Sequence, residues 1–142
     1  MDYFVALFLI VIIVRTIWEI VIDLINLRYS TGTNAKIPDI LEDKISAEDF
    51  EKSKKYLKDT TYFGIVRSLV SLIVNIVFVL KLFQILEHAL SGEDSLYIQA
   101  ILFFGIYTLI DYLVDLPFTI YSTFVIEEKY GFNTTRPSAI AN

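Results

Sequence analysis

The chain has 142 residues, of which 55% are hydrophobic and 20% charged, a formal net charge of −5 and no cysteine; its mean hydropathy is +0.57. That length accommodates one domain. The apolar share exceeds the roughly 45–50% of a soluble domain and is clustered, which points to a membrane protein. The acidic balance argues against a nucleic-acid partner, which requires a basic face. Without cysteine there is no disulfide, no thiol nucleophile and no cysteine metal site.

The first apolar run is YFVALFLIVIIVRTIWEIVIDLINL, residues 3–27. As a helix it extends roughly 37 Å, enough to cross a bilayer with tilt. Asp2 stands where a signal peptide carries positive charge, and no small-residue cleavage site follows, so the run reads as a retained membrane helix. A polar loop, 28–61, comes next. RYSTGTNAKIP carries the breakers Gly32 and Pro38. SAEDFEKSKKYLKD reads as a short amphipathic helix with Ser46 as its cap, Glu48 and Asp49 at its start, and Lys54, Lys55 and Lys58 at its end.

The second run covers 62–87, and the turn HALSGEDS separates it from the third, 96–128. Pro117 lies inside that third run, which predicts a kink there and an extension towards the aqueous side. The expected fold is therefore all-α, with three long transmembrane helices and an irregular tail over 134–142. Arg28, Lys36, Lys44, Lys52, Lys54, Lys55 and Lys58 crowd the first loop, whereas the 88–95 turn has no Lys or Arg. The positive-inside rule then sets the N-terminus outside and loop 28–61 and the C-terminus in the cytoplasm.

Each run carries one polar stripe. At 100° per residue, Arg15, Glu19, Asp23 and Asn26 fall within about 80° of one another. Arg67, Ser71, Asn75 and Lys81 fall within about 120°. Tyr107, Thr108, Asp111 and Asp115 fall within about 100°. Charges at membrane depth face protein or a hydrated cavity. The stripes therefore read either as ion pairs inside a bundle or as the lining of a water-filled chamber. A helical zinc peptidase needs H-E-x-x-H, but this chain has one histidine, His88. No catalytic residue and no metal ligand is assigned here.

The end of the third run is more specific. LPFTIYSTFVIEEKYGFN, from Leu116 to Asn133, resembles the signature L-P-F/W-S-x-Y-x-T-F-V-I-E-E-K-x-G-F-N of the type I CAAX prenyl proteases, a family of integral-membrane zinc metallopeptidases. It matches at Leu116, Pro117, Phe118, Tyr121, Thr123, Phe124, Val125, Ile126, Glu127, Glu128, Lys129, Gly131, Phe132 and Asn133, and departs at Thr119. A second stretch resembles the family's F-x-K-S-x-x-Y-x-x-D-x-x-x-F at Phe50, Lys52, Ser53, Tyr56, Asp59 and Phe63, after Pro38.

The resemblance covers nearly the whole chain up to Asn133. It implies the N-terminal membrane domain of a CAAX-protease-like metallopeptidase, whose zinc belongs to a later peptidase half. The expected role is wall, substrate guide and docking surface, catalytically silent alone. The alternative is a stand-alone membrane scaffold that assembles with itself or another protein. Expected partners are the lipid bilayer and either a peptidase half or a second copy. Candidate chamber-lining or ion-pair residues are Arg15, Glu19, Asp23, Arg67, Asn75, Asp111 and Asp115. Candidate docking residues are Pro117, Tyr121, Glu127, Glu128, Lys129, Gly131, Phe132 and Asn133. The helix is expected to stop at Gly131, with Phe132 folding back.

Overall fold

A computed structural model describes residues 3–32, 35–37, 45–92 and 95–132. These form three long helices: α1 (Tyr3–Thr31), α2 (Ala47–Leu90) and α3 (Leu96–Tyr130). Each is long and apolar enough to cross a membrane. Pro38, Asn133 and the tail 134–142 lie outside the described residues.

Two boundaries differ from the sequence expectation. Helix α1 continues past Leu27 to Thr31. The Thr31 hydroxyl donates to the Leu27 carbonyl at 2.6 Å, and the turn Ala35 N–H to Gly32 C=O then follows. The amphipathic segment is not a separate short helix in a loop. It forms the first turns of α2, which runs on without a break into the apolar run. The physical reason is plain in the residues: between Ala47 and Tyr62 there is neither Pro nor Gly, so nothing ends the backbone ladder where polarity changes. The start of α2 is capped as expected. The Ser46 hydroxyl accepts from the Asp49 N–H at 3.0 Å and donates to the Asp49 carboxylate at 2.7 Å.

Helices α2 and α3 each contain a wider π-helical stretch, Phe78–Leu82 and Ser122–Glu127. Pro117 lies within the α-helical part of α3, and the π stretch begins five residues later. Such stretches are frequent at functional positions in helices.

Among the described residues only Leu27, Phe78, Ile126 and Tyr130 are buried, while long rows of Phe, Ile, Leu and Val on all three helices are exposed. Water does not tolerate apolar surface on that scale in a stable monomer. Lipid or another protein surface does, and the chain is an integral membrane protein.

The chain divides into two compact units. One comprises Met1–Ile17 and Arg67–Phe118; the other comprises Trp18–Val66 and Thr119–Asn142. In each unit taken by itself, α2 and α3 pair antiparallel: contacts at rising numbers on α2 meet falling numbers on α3.

Candidate functional site

In the first unit the polar stripes of α2 and α3 meet. Arg67 donates from Nε to Asp115 Oδ1 at 2.6 Å and from Nη2 to Asp115 Oδ2. This fork matches guanidinium to carboxylate geometrically as well as electrostatically. Two turns further along α2, the Asn75 amide donates to the Ser71 carbonyl at 2.9 Å. The Asn75 Oδ1 accepts from the Tyr107 hydroxyl at 2.9 Å. The Tyr107 ring packs edge-on against Phe78, 4.7 Å between centroids. Phe78 also meets Phe103, which meets Phe83. These rings, with Phe4 and Phe8 of α1, line an apolar cavity of about 560 Å³ with Asn75 and Tyr107 at its wall.

Arg67, Asn75 and Asp115 are therefore drawn into two neighbouring interhelical links. The other stripe residues are placed differently. Asp111 is exposed and has no ion-pair partner among the described residues. Arg15, Glu19 and Asp23 are exposed on α1. The sole histidine, His88, is exposed beside the turn after α2.

In the second unit the two stretches that resemble the family signature prove to be the two sides of one contact. Asp59 on α2 accepts from Lys129 Nζ at 2.6 Å and from the Tyr130 hydroxyl at 2.7 Å, both on Oδ2. Tyr56, one turn earlier, packs edge-on against Tyr130 at 5.4 Å and Phe132 at 4.9 Å. Lys52, a further turn back, holds its ammonium 5.7 Å from the centre of the Phe132 ring. On the other side of Asp59, Phe63 stacks on Tyr121 at 5.1 Å. Lys52, Tyr56, Asp59 and Phe63 recur every three or four residues, so they share one helix face. That face meets Tyr121, Lys129, Tyr130 and Phe132.

Gly131 makes this geometry possible. Its φ is +74°, the left-handed region, and it is the only described residue there. The Gly131 N–H donates to the Glu128 carbonyl at 3.0 Å, and the Phe132 N–H donates to the Glu127 carbonyl at 2.9 Å. This pair of bonds is a Schellman stop, which turns the chain back so that Phe132 can reach α2. The expected stop at Gly131 is present, but Phe132 packs across onto Tyr56 of α2 rather than back against its own helix.

The clasp is electrostatically biased. Asp59 stands before the apolar part of α2, and Lys129 and Tyr130 stand after that of α3. The Asp59 carboxyl is held below its usual value by the Lys129 hydrogen bond first and the Tyr130 hydroxyl second. Lys129 is raised by its bond to Asp59. The Tyr130 phenol is raised by the same carboxylate.

Lys129, expected as part of an outward docking surface, is thus engaged within the chain. Glu127 and Glu128 make no side-chain hydrogen bond or ion pair among the described residues, and Glu128 is exposed. Pro117 is exposed on α3. The sequence could not show that the two stretches touch, since about 70 residues separate them; their occurrence in one signature was the only hint.

Among the described residues no three His, Asp or Glu side chains converge at metal-binding spacing.

Comparison with known proteins bears on this arrangement. The family model for the CAAX prenyl protease N-terminal region, described as five membrane helices, matches residues 26–141. "CAAX prenyl protease 1" of Saccharomyces cerevisiae is 35% identical over 118 residues, covering 75% of this chain and 26% of that protein. "CAAX prenyl protease 1 homolog" of Arabidopsis thaliana is 35% identical over 134 residues, covering 85% and 30%. The Mus musculus homolog is 34% identical over 110 residues, covering 71% and 23%. The chain thus spans about a quarter of the length of these relatives. No solved structure matches significantly. With a family match over most of its length, the chain belongs to the CAAX prenyl protease N-terminal family.

Proposed function

We propose that this chain is the N-terminal membrane region of a zinc metallopeptidase that cleaves prenylated, membrane-associated proteins ending in C-a-a-X. Its own role is architectural. The helices form part of a wall within the bilayer, and the water-facing end of α2 and α3 presents a docking surface to the peptidase half. Zinc is held by residues outside this sequence, and the chain alone is catalytically silent.

One observation carries this reading. The clasp engages Lys129, Tyr130 and Phe132 within the chain and leaves the exposed Glu128 beside it without an ion pair among the described residues. A carboxylate on a rigid helix end is suited to meet a cationic partner surface, because the Schellman stop fixes its position. The Lys and Arg distribution supports an outside N-terminus with loop 28–61 and the C-terminus in the cytoplasm.

A chimera tests the role. This chain replaces the matching quarter of the yeast relative, and processing of a CAAX substrate is followed in cells lacking that relative. Restored processing that Glu127→Ala with Glu128→Ala abolishes is the expected result. Normal processing by the double variant removes the docking role. Separately, the purified chain should release no stoichiometric zinc on acid treatment; one tightly bound zinc per chain, with chelator-sensitive cleavage, contradicts the assignment. Single cysteines at Ser46 and Ser91 should label from opposite faces of the membrane, Ser46 from the cytoplasm, and labelling from one face refutes the orientation.

A further inference from the structure

Beside the clasp, four lysines gather on one surface next to the apolar runs. A concave surface of about 420 Å³ in the second unit is lined by Lys52, Lys55, Lys58 and Lys129, together with Asp59 and Tyr130. Asp59 is the one acid in that lining, and its charge is matched by Lys129 at 2.6 Å. Lys54 faces elsewhere and is paired with Glu51 at 2.8 Å. Three ammonium groups therefore remain: Lys52, Lys55 and Lys58. All three side chains are exposed. None has a carboxylate within ion-pair distance among the described residues.

The position of this concavity matters as much as its charge. Asp59 lies three residues before Tyr62, where the apolar part of α2 begins, so the lysines occupy the last three turns before the spanning run. Tyr56 and Tyr130 stand beside them, the residue type that settles at the headgroup level. The helix also rises only about 1.5 Å per residue. Lys58 thus sits within roughly 6 Å of the run's first residue along the axis. A soluble anion would meet these ammonium groups only by diffusion, whereas a lipid headgroup is held at this depth by its own acyl chains.

We propose that Lys52, Lys55 and Lys58, in the concavity closed by the Asp59–Lys129–Tyr130 clasp, bind the phosphate headgroup of an anionic phospholipid. The shape supplies what a bare polybasic stretch lacks: the clasp fixes one wall of a concavity that all three lysines line. Lys52 is further held by its approach to the Phe132 ring. Each lysine near an anionic leaflet contributes about a fivefold gain in binding. The site does not depend on the proposed peptidase role, since it is complete within the second unit.

The test uses the full chain purified in a mild detergent, with phosphatidylserine, phosphatidic acid and phosphatidylcholine added in turn and retained lipid counted by native mass spectrometry. The anionic lipids should be retained at concentrations at least tenfold below phosphatidylcholine. The triple variant Lys52→Gln, Lys55→Gln, Lys58→Gln keeps the clasp and should lose about a hundredfold. The matched Lys→Arg triple should retain binding, which separates loss of charge from loss of fold. Inorganic phosphate at the same concentration should not compete. Equal retention of anionic and zwitterionic lipid, or an unchanged Lys→Gln triple, overturns the proposal. Displacement by inorganic phosphate overturns the lipid as the source of the anion.

Discussion

In the unit that contains Arg67–Phe118, helices α2 and α3 meet through one forked ion pair and one neutral hydrogen bond, set among Phe78, Phe83 and Phe103. In the unit that contains Thr119 onwards, the same two helices meet through a carboxylate shared by Lys129 and Tyr130, with Tyr56 and Phe132 packed beside it. The difference follows from the solvent. Within an apolar span no water compensates a lost partner, so polar groups must match each other closely. Arg67 and Asp115 do this in a two-bond fork. Asp59 and Lys129 lie outside the apolar runs, at the water-facing end. Their attraction is screened, so ring packing and the helix stop do most of the positioning.

The sharpest way to break the comparison is to remove one charge from the span. Arg67→Ala alone should destabilise the chain in lipid by about 2–3 kcal/mol, because Asp115 is left without its counter-charge. Replacing both, Arg67→Met with Asp115→Leu, should restore most of that loss. Denaturation in bicelles reads both. A double variant as unstable as the single one means the pair is there for more than mutual neutralisation.

Next in size is Gly131→Val. A β-branched residue in the left-handed region costs about 1–2 kcal/mol, and the stop that returns Phe132 to Tyr56 should loosen. A Cβ at this position would meet only the Lys52 ammonium at 3.7 Å, an ordinary contact; the penalty comes from the backbone. Gly131→Asn should be milder. Thermal unfolding in detergent checks the order, and equal midpoints for Val and Gly contradict it.

Tyr107→Phe is a smaller probe. It keeps the ring against Phe78 and removes the bond to Asn75, a loss of about 1 kcal/mol. The same experiment at Tyr130 should cost less, because water reaches the part-exposed Asp59 carboxylate that loses the bond. If Tyr130→Phe costs more, the contrast between the two units fails.

Much of this architecture was legible beforehand. Three apolar runs announce three spans, Ser46 with Asp49 announces the start of α2, and Gly131 announces the stop of α3. What stayed hidden has physical causes. Hydropathy reports solvent, not backbone, so the continuous helix Ala47–Leu90 looked like a short amphipathic helix followed by a separate span. Periodicity assigns each polar residue a face on its own helix, but it cannot set the register between helices. Asp111 and Asp115 share one face of their helix, so periodicity does not distinguish them, and only packing selects Asp115 for Arg67. The π-helical stretches at Phe78–Leu82 and Ser122–Glu127 carry no residue that marks them. For the site, the clustering of Lys52, Tyr56 and Asp59 with Lys129, Tyr130 and Phe132 is a tertiary fact. Lys129 looked available for an external partner until its carboxylate was in view.

The weakest expected effect is a pH dependence confined to the clasp. Asp59 is lowered in the folded state by Lys129 and Tyr130. Its contribution is therefore present above the ordinary aspartate value near 3.8 and fades as pH falls through the lowered one. Lys129 is raised, so its contribution is present below its ordinary value of 10.5 and is lost as pH rises beyond it. The raised Tyr130 phenol sets a slightly lower upper limit, its ordinary value of 10.0, and between that and 3.8 the clasp should be indifferent to pH. Asp59→Asn should flatten the acid limb of a stability profile; an unchanged limb means other carboxylates set it.

The central claim is that the two stretches, about 70 residues apart, are one clasp whose ends depend on each other. A double-mutant cycle on Asp59→Asn and Lys129→Gln, read as thermal midpoints of the full chain in lipid nanodiscs at low salt, tests it most directly. The account predicts that each single variant lowers the midpoint and that the double variant falls less than the two losses added together, with the shortfall shrinking in high salt. Strictly additive losses, unchanged by salt, would show that Asp59 and Lys129 act independently and that the clasp does not exist in the membrane.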